Sequence, residues 1–431
     1  MFNQNGLSLN QAPPIVVVFR FFFTGALFGI VSGISLFFYG IEIFDTTSIA
    51  ALTFTHLLTL GVMLSFMFAA LFQMLPVIAG ITLTSPQKKA KLLLYPFILG
   101  LVSLLLGFNF THISWLFLLA SGFLAFAIFI TIMPMLSKLL TLKHHTASSK
   151  GMSVALLTLG VVLLLALYLL STLSGNIEGS YYTQVKTAHY SFGLFGWIAL
   201  LIISISFQVI EMFYVTPPYP QNMSRYLPLT LFMILGITTL LGVFYPQAWH
   251  ISHILLALLL TAYALLTLKR LTRKKRPLSD ATVWFWRLGL TSLILSMLLI
   301  MLETFTTLPF IKSLSYIFFA SFALSIVFAM FYKIVPFLTW FHLNSQGYFT
   351  APMMHEVIHP KTAMKHLYIH SATIVTFILA LFVHRFIYLA GLLMILSFSW
   401  MVYQLIHANT LYKKTQETGE KFDTPHHFLP K

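Results

Sequence analysis

Cysteine is absent from the 431 residues of this chain. That absence excludes disulfides, thiolate metal sites, iron–sulfur ligation and a cysteine nucleophile. Charge is nearly as scarce, with Asp, Glu, Lys and Arg making up 8% of the residues, where an ordinary soluble domain holds about 25%. A large soluble catalytic domain, a disordered chain and a collagen-like repeat are excluded by the same figures.

What is present instead is apolar. Hydrophobic residues reach 58% and Phe alone contributes 43, which reads as an all-α integral membrane protein. Runs of about 17–25 apolar residues are long enough to span a bilayer. Twelve are found, near 15–40, 49–72, 92–108, 112–137, 151–173, 188–213, 227–243, 248–269, 282–303, 310–337, 366–384 and 386–409. The first is too long for a cleavable signal peptide, and no small-x-small cleavage site follows it.

The net charge of +15 raises nucleic acid as a partner until its distribution is read. Of the 25 Lys and Arg, 22 fall on the side shared by both termini and the loops after even-numbered spans. The densest cluster is Lys269, Arg270, Arg273, Lys274, Lys275 and Arg276, while Lys186, Lys312 and Arg385 fall on the other side. The positive-inside rule then predicts cytoplasmic termini. The basic clusters read first as a plain topology signal, with contact to anionic membrane lipid as the alternative, and no nucleic-acid partner is expected.

Spans 2, 6 and 10 resemble one another. Gly61 to Gln73 is twelve residues, as is Gly196 to Gln208, and Phe72-Gln73-x-x-Pro76 matches Tyr332-Lys333-x-x-Pro336. On this register His56 falls opposite Tyr316, and His189 lies two residues before the equivalent point. Spans 3–4, 7–8 and 11–12 each form a hairpin with a short turn. The predicted organisation is three four-helix units, 1–150, 151–281 and 282–409, about a pseudo-threefold axis. The third holds a cytoplasmic loop at 338–365, and a tail follows at 410–431. Internal repeats of this kind place ligand sites at repeat interfaces. Shared composition among hydrophobic helices is the alternative.

Sixteen His is high for such a chain. His56, His112, His189, His250, His253 and His384 fall at the outer ends of spans. With Cys absent, a neutral imidazole is the main side chain able to bind haem iron or copper. His56 and His189 sit at similar depths, about one turn inside the membrane, and are read equally as ligands or as hydrogen-bonding interfacial residues. His250 and His253 are spaced i,i+3 and share one side of their helix. His189, His250 and His253 together would suit copper or zinc. His112 and His384 read as interfacial.

Taken together these residues resemble the haem–copper oxidase subunit I superfamily, including its NnrS-like branch. His56 with Pro76 twenty residues later, inside FQMLP, is similar to that family's low-spin haem helix. His189-Tyr-Ser-Phe-Gly193 looks like its copper-ligand helix, His250-x-x-His253 sits near two further copper ligands, and YKIVPF at 332–337 is like the end of its helix 10. The resemblance implies twelve helices in three pseudo-threefold four-helix arcs, with redox ligands near the outer ends of helices 2, 6, 7 and 10. The family's H-x-H pair on helix 10 corresponds here to Leu314 and Tyr316, and its adjacent His-His pair is missing. A full oxygen- or NO-reducing binuclear centre is therefore not expected.

The expectation resulting from this resemblance is a degenerate member, in a bacterial-type inner (plasma) membrane, that binds haem b, copper or both near the periplasmic face. His56 would be an axial ligand and Tyr316 its opposite. Electron transfer, metal handling or a nitrosative or oxidative stress response would follow, with a redox partner or assembly subunit. A cofactor-free transporter or assembly protein on the same scaffold is the alternative.

Two further groups stand out. Gln73, Gln208 and Lys333 share a register in the inner half, with Glu211 one turn beyond Gln208. These are expected to face the bundle or to snorkel to the inner surface, with a structural Lys333–Glu211 pair as one reading and a proton or ion path as the alternative. The loop between spans 10 and 11 carries His355-Glu356-Val357-Ile358-His359, a match to the H-E-x-x-H zinc motif. A helix starting near Thr350 or Pro352 and ended by Pro360 would set the two His one turn apart. Plain loop chemistry is the favoured reading, since no acidic third ligand follows until Glu417; a zinc-dependent membrane hydrolase and a non-catalytic metal site on His355 and His359 are the alternatives. His366 and His370 follow at the start of span 11, and His426-His427 lie in a tail expected to be disordered.

Overall fold

A computed structural model of the chain describes residues 13–81, 83–275, 279–306 and 308–421. His426, His427 and Arg276 lie outside the described residues. Helix dominates, and no β-strand occurs among the described residues. Twelve helices are long and apolar enough to cross a membrane, and the chain is a multi-pass membrane protein. They are α1 (Ile15–Phe44), α2 (Ile49–Val77), α3 (Pro86–Asn109), α4 (Trp115–Leu140), α5 (Ala147–Leu173), α6 (Tyr182–Tyr214), α7 (Gln221–Phe244), α8 (Ala248–Thr272), α9 (Ala281–Glu303), α10 (Phe310–Ser345), α11 (Pro360–Ala380) and α12 (Phe386–Thr418). Each contains one of the twelve predicted spans or most of it.

Several helices begin where the sequence supplies an oxygen for an orphan N–H. Ser48 accepts from Ala51 N–H, Thr146 from Ser149 N–H, and Asp280 from Val283 N–H at 2.9, 3.1 and 3.1 Å. Such caps stabilise a helix end by about 1 kcal/mol. With twelve spans, both described chain ends emerge on one side of the bundle, here called the termini side.

The packing is layered. Helices α1, α3, α4, α5, α7, α8, α9, α11 and α12 pack on one another in that order, and α12 returns to α1. Helices α1 and α12 approach so closely at Gly33 and Gly391 that a Cβ on Gly33 would lie 2.8 Å from the Gly391 carbonyl oxygen. Only small residues permit such a crossing. Inside this ring lie α2, α6 and α10. Their most hydrophobic stretches are 78%, 83% and 67% buried, against 33–56% for the other nine. The predicted inner trio is therefore the observed one. Exposed apolar side chains such as Leu164 and Leu240 cover the outside, as a hydrocarbon environment requires.

The central helices share a second feature. Within α2, residues Leu57–Leu64 form a π-helical segment, and within α6, Phe192–Ala199 do the same, 135 residues later. That is the offset between Gly61 and Gly196. Both glycines sit inside the π segments and are closely approached, Gly61 by Phe28 and Gly196 by Leu235. α10 has no such segment and runs as α-helix throughout. Interruptions of this type concentrate at functional sites.

Candidate functional site

The three inner helices, with parts of α3, α4, α5, α11 and α12, line a cavity of about 460 Å³. A sphere of that volume would be only about 10 Å across, yet the lining on α10 runs from Lys312 to Phe328, about 24 Å at the rise of an α-helix. The cavity is therefore elongated along the membrane normal. Its volume lies within the range of small-molecule sites.

At the end remote from the termini, His56 and His189 share the lining. Their rings stack, with centroids 6.4 Å apart and planes 14° from parallel. The two are anchored alike. His56 Nδ1 lies 2.8 Å from the Leu52 carbonyl oxygen, and His189 Nδ1 lies 3.2 Å from that of Val162. A carbonyl can only accept, so each Nδ1 carries the proton, and in a neutral ring Nε2 keeps its lone pair. Metal-binding imidazoles are oriented by this kind of backbone hydrogen bond. Neither Nε2 has a hydrogen-bond partner among the described residues.

Tyr316, Lys186 and Lys312 line the same cavity. The two lysines are thus two of the three basic residues that depart from the charge bias of the sequence. Trp197 also lines it, is 3% exposed, and leaves its Nε1 donor without a partner. A ligand with an apolar body and acidic groups fits this set of side chains: two lone pairs, two ammonium groups and a spare N–H.

The expected trio of His189, His250 and His253 is arranged differently. His250 is exposed and His253 half-buried against Phe195 and Trp249, and neither lines the cavity. Among the described residues, no three His, Asp or Glu side chains gather in a way that could hold a metal ion. His189 meets His56 because the two helices bring their ends together, a contact that spacing along one chain does not reveal. His112 and His384 are exposed near the ends of their hairpins.

The H-E-x-x-H segment departs from its expected helix. Helix covers only Met354–Val357, and Ile358 is extended at φ −136°, ψ 112°. The reason is Pro360, whose ring forces the preceding His359 out of the α region. His359 instead caps α11, its Nδ1 accepting from Lys361 N–H at 3.2 Å. Glu356 accepts from Met353 N–H at 2.7 Å. His355, Glu356 and His359 are all exposed.

The partner of Lys333 is also a correction. It bonds Asp280 at 2.6 Å, with its ammonium 5.4 Å from the centre of the Tyr214 ring, while Glu211 accepts from Tyr219 N–H at 2.8 Å. Asp280 precedes α9 and its carboxylate is already the cap of that helix, which places it beside Lys333. Burial works against the Asp280 carboxylate, but the Lys333 ammonium and hydrogen bonds from Lys333, Thr282 and Val283 N–H outweigh it. They hold its pKa below the ordinary carboxylate value. Gln73 is buried as expected, at 2% exposure, with Oε1 unpartnered.

Sequence reasoning gave no role to a second pair. His366 and His370 are 0% and 3% exposed. Tyr332 Oη and Ser397 Oγ bond the two nitrogens of His366 at 2.9 and 2.7 Å, and Ser325 Oγ bonds His370 Nε2 at 2.9 Å. Their position inside an apolar run was the available signal, since ionisable residues at membrane depth are costly.

No protein-family model matches the chain, and no curated protein matches it.

Proposed function

We propose that this chain is a degenerate haem–copper oxidase-like protein of a bacterial-type inner membrane that binds haem b in the elongated cavity. The observation that carries this reading is the pair His56 and His189, each tied by Nδ1 to a backbone carbonyl and each with Nε2 free, on one cavity wall. His56 would hold the iron, with His189 beside it and Tyr316 in the same lining. Lys186 and Lys312 would pair with the propionates, and the Trp197 N–H would meet a polar group of the ligand. Haem at such a site supplies one-electron exchange, in electron transfer or a nitrosative or oxidative stress response. The protein's own part is to bind and orient the ring and to keep lipid from it.

Two imidazoles alone also suit copper, but the apolar lining and the paired lysines favour the larger ligand. The ring of nine helices around three, joined at α4–α5, α8–α9 and α12–α1, supports three four-helix arcs, and the bias of Lys and Arg toward the termini side supports cytoplasmic termini. A second reading is favoured by the length of the cavity, which continues from the remote end to His370 and Ser397 about midway along the membrane span: a transporter on the same scaffold.

An optical spectrum of the purified protein tests the first reading. A Soret band that is lost in His56→Ala is expected. Protein purified after haem supplementation with no Soret band would overturn it in favour of the transporter.

A further inference from the structure

The lower end of the cavity is closed by polar groups that haem binding does not use. Ser397 lines the cavity and bonds His366 Nε2 at 2.7 Å. On the other edge of the same imidazole, Nδ1 meets Tyr332 Oη at 2.9 Å. Three groups from α12, α11 and α10 therefore form one unbroken hydrogen-bonded line that begins at the cavity wall. His370, one turn further along α11, also lines the cavity and bonds Ser325. The hydrogen-bonded line of side chains ends at Tyr332, in the half of α10 nearer the termini side; its neighbour in sequence, Lys333, bonds Asp280, whose side chain is 41% exposed.

We propose that Ser397, His366 and Tyr332 are a proton wire between the cavity and the termini side of the membrane. The chemistry of the line is suited to this. Serine and tyrosine hydroxyls both donate and accept, and imidazole can gain a proton at one nitrogen while releasing one from the other. In one pass, His366 takes the Ser397 hydroxyl proton at Nε2 and gives its Nδ1 proton to Tyr332 Oη. Ser397 is reprotonated by water in the cavity, and Tyr332 gives its own hydroxyl proton to water reaching it from the termini side. Only O–H and N–H bonds break and form, no electrons move, and hydroxyl and ring reorientation reset the line.

The surroundings keep the route narrow. His366 is packed by Phe285 of α9, by Phe328 and Tyr332 of α10 and by Ser397 of α12, with His370 the neighbouring titratable group on its own helix. No acidic or cationic side chain is among these contacts, so no fixed charge holds a proton in place. Intramembrane histidines with hydroxyl partners are suited to relays of this kind. The inference rests on the cavity alone and not on what the cavity binds.

The test is proton flux into liposomes of phosphatidylcholine and phosphatidylglycerol that contain the full-length protein and an internal pH dye. A potassium gradient with valinomycin supplies the driving potential. Flux well above that of protein-free vesicles is expected, reduced at least about tenfold in His366→Phe. Ser397→Ala removes one hydroxyl with little change in packing, and it should slow the flux whether or not His366→Phe elutes intact. Wild-type flux no faster than empty vesicles, or unchanged flux in Ser397→Ala, would overturn the wire. The Soret band of the same preparations reports on haem independently, so the two readings can fail separately.

Discussion

The two ends of the cavity are both built around a pair of histidines, and they use them in opposite ways. At the end remote from the termini, His56 and His189 spend one nitrogen each on a backbone carbonyl and leave the other free. At the termini end, His366 has both nitrogens bonded to hydroxyl side chains and His370 has one. The partner decides the role. A carbonyl fixes the tautomer and leaves a lone pair for a ligand, whereas the two hydroxyls on His366 satisfy its ring completely and can exchange protons with it. The same residue type is a binding group in one place and part of a hydrogen-bonded network in the other.

The sharpest way to break this comparison is to remove the rings and measure stability. His366→Ala leaves two buried hydroxyls, Tyr332 and Ser397, without a partner, at about 1–3 kcal/mol each. Its melting temperature in detergent should fall well below that of the wild type. His56→Ala strands only one carbonyl beside a cavity, and without ligand it should melt within about 1 kcal/mol of the wild type. Equal losses at the two ends would show that the free nitrogens are an accident of packing.

A smaller effect is expected at the lysines. Changing Lys186 and Lys312 together to Ala should weaken haem retention by about tenfold, the scale of one charge-assisted interaction, while leaving the proton flux through the termini end unaltered. A haem titration of the double variant measures it.

The smallest effect is at Asp280. Its pKa is lowered in the folded protein, so its charged form stabilises the fold above the ordinary carboxylate value near 4. That contribution is lost as pH falls through the lower, folded value. Asp280→Asn should therefore be less stable than the wild type at neutral pH, and the difference should close on acidification. Melting curves across pH 3–7 would reveal it, and a gap of constant size would mean that the ion pair contributes nothing.

Much of the architecture was legible because hydropathy and burial follow the same physics. Twelve apolar runs became twelve membrane helices, and the spans linked by Gly61, Gly196 and the shared Gln and Pro positions became the buried ones. Side-chain partners were less legible. The two-residue offset of His189 from the point equivalent to His56 looked like imperfect repetition. Two residues turn a side chain through about 200° about its axis. On helices related by rotation about a common centre, equivalent positions point the same way round, and such a turn is what lets one ring face back toward the other. The loop motif failed for a local reason that was readable in advance: the proline after His359 forbids the helix that the zinc geometry needs. Asp280 was overlooked as a partner for Lys333 because it lies outside the apolar runs, and a helix cap is aimed by the helix it starts.

The matching π segments of α2 and α6 have a consequence for how this centre could be retuned. A π turn is a helical rod with a residue wound into its screw, so the rod on either side is out of phase with its continuation. Deleting one residue from Leu57–Leu64 would rotate the remote end of α2, His56 included, by about 100° and draw it in by about 1.5 Å, with Gln73 and the inner half left in place. A single-residue edit of that kind in either helix changes the bearing of one imidazole alone. The same edit in both would move the pair as a set.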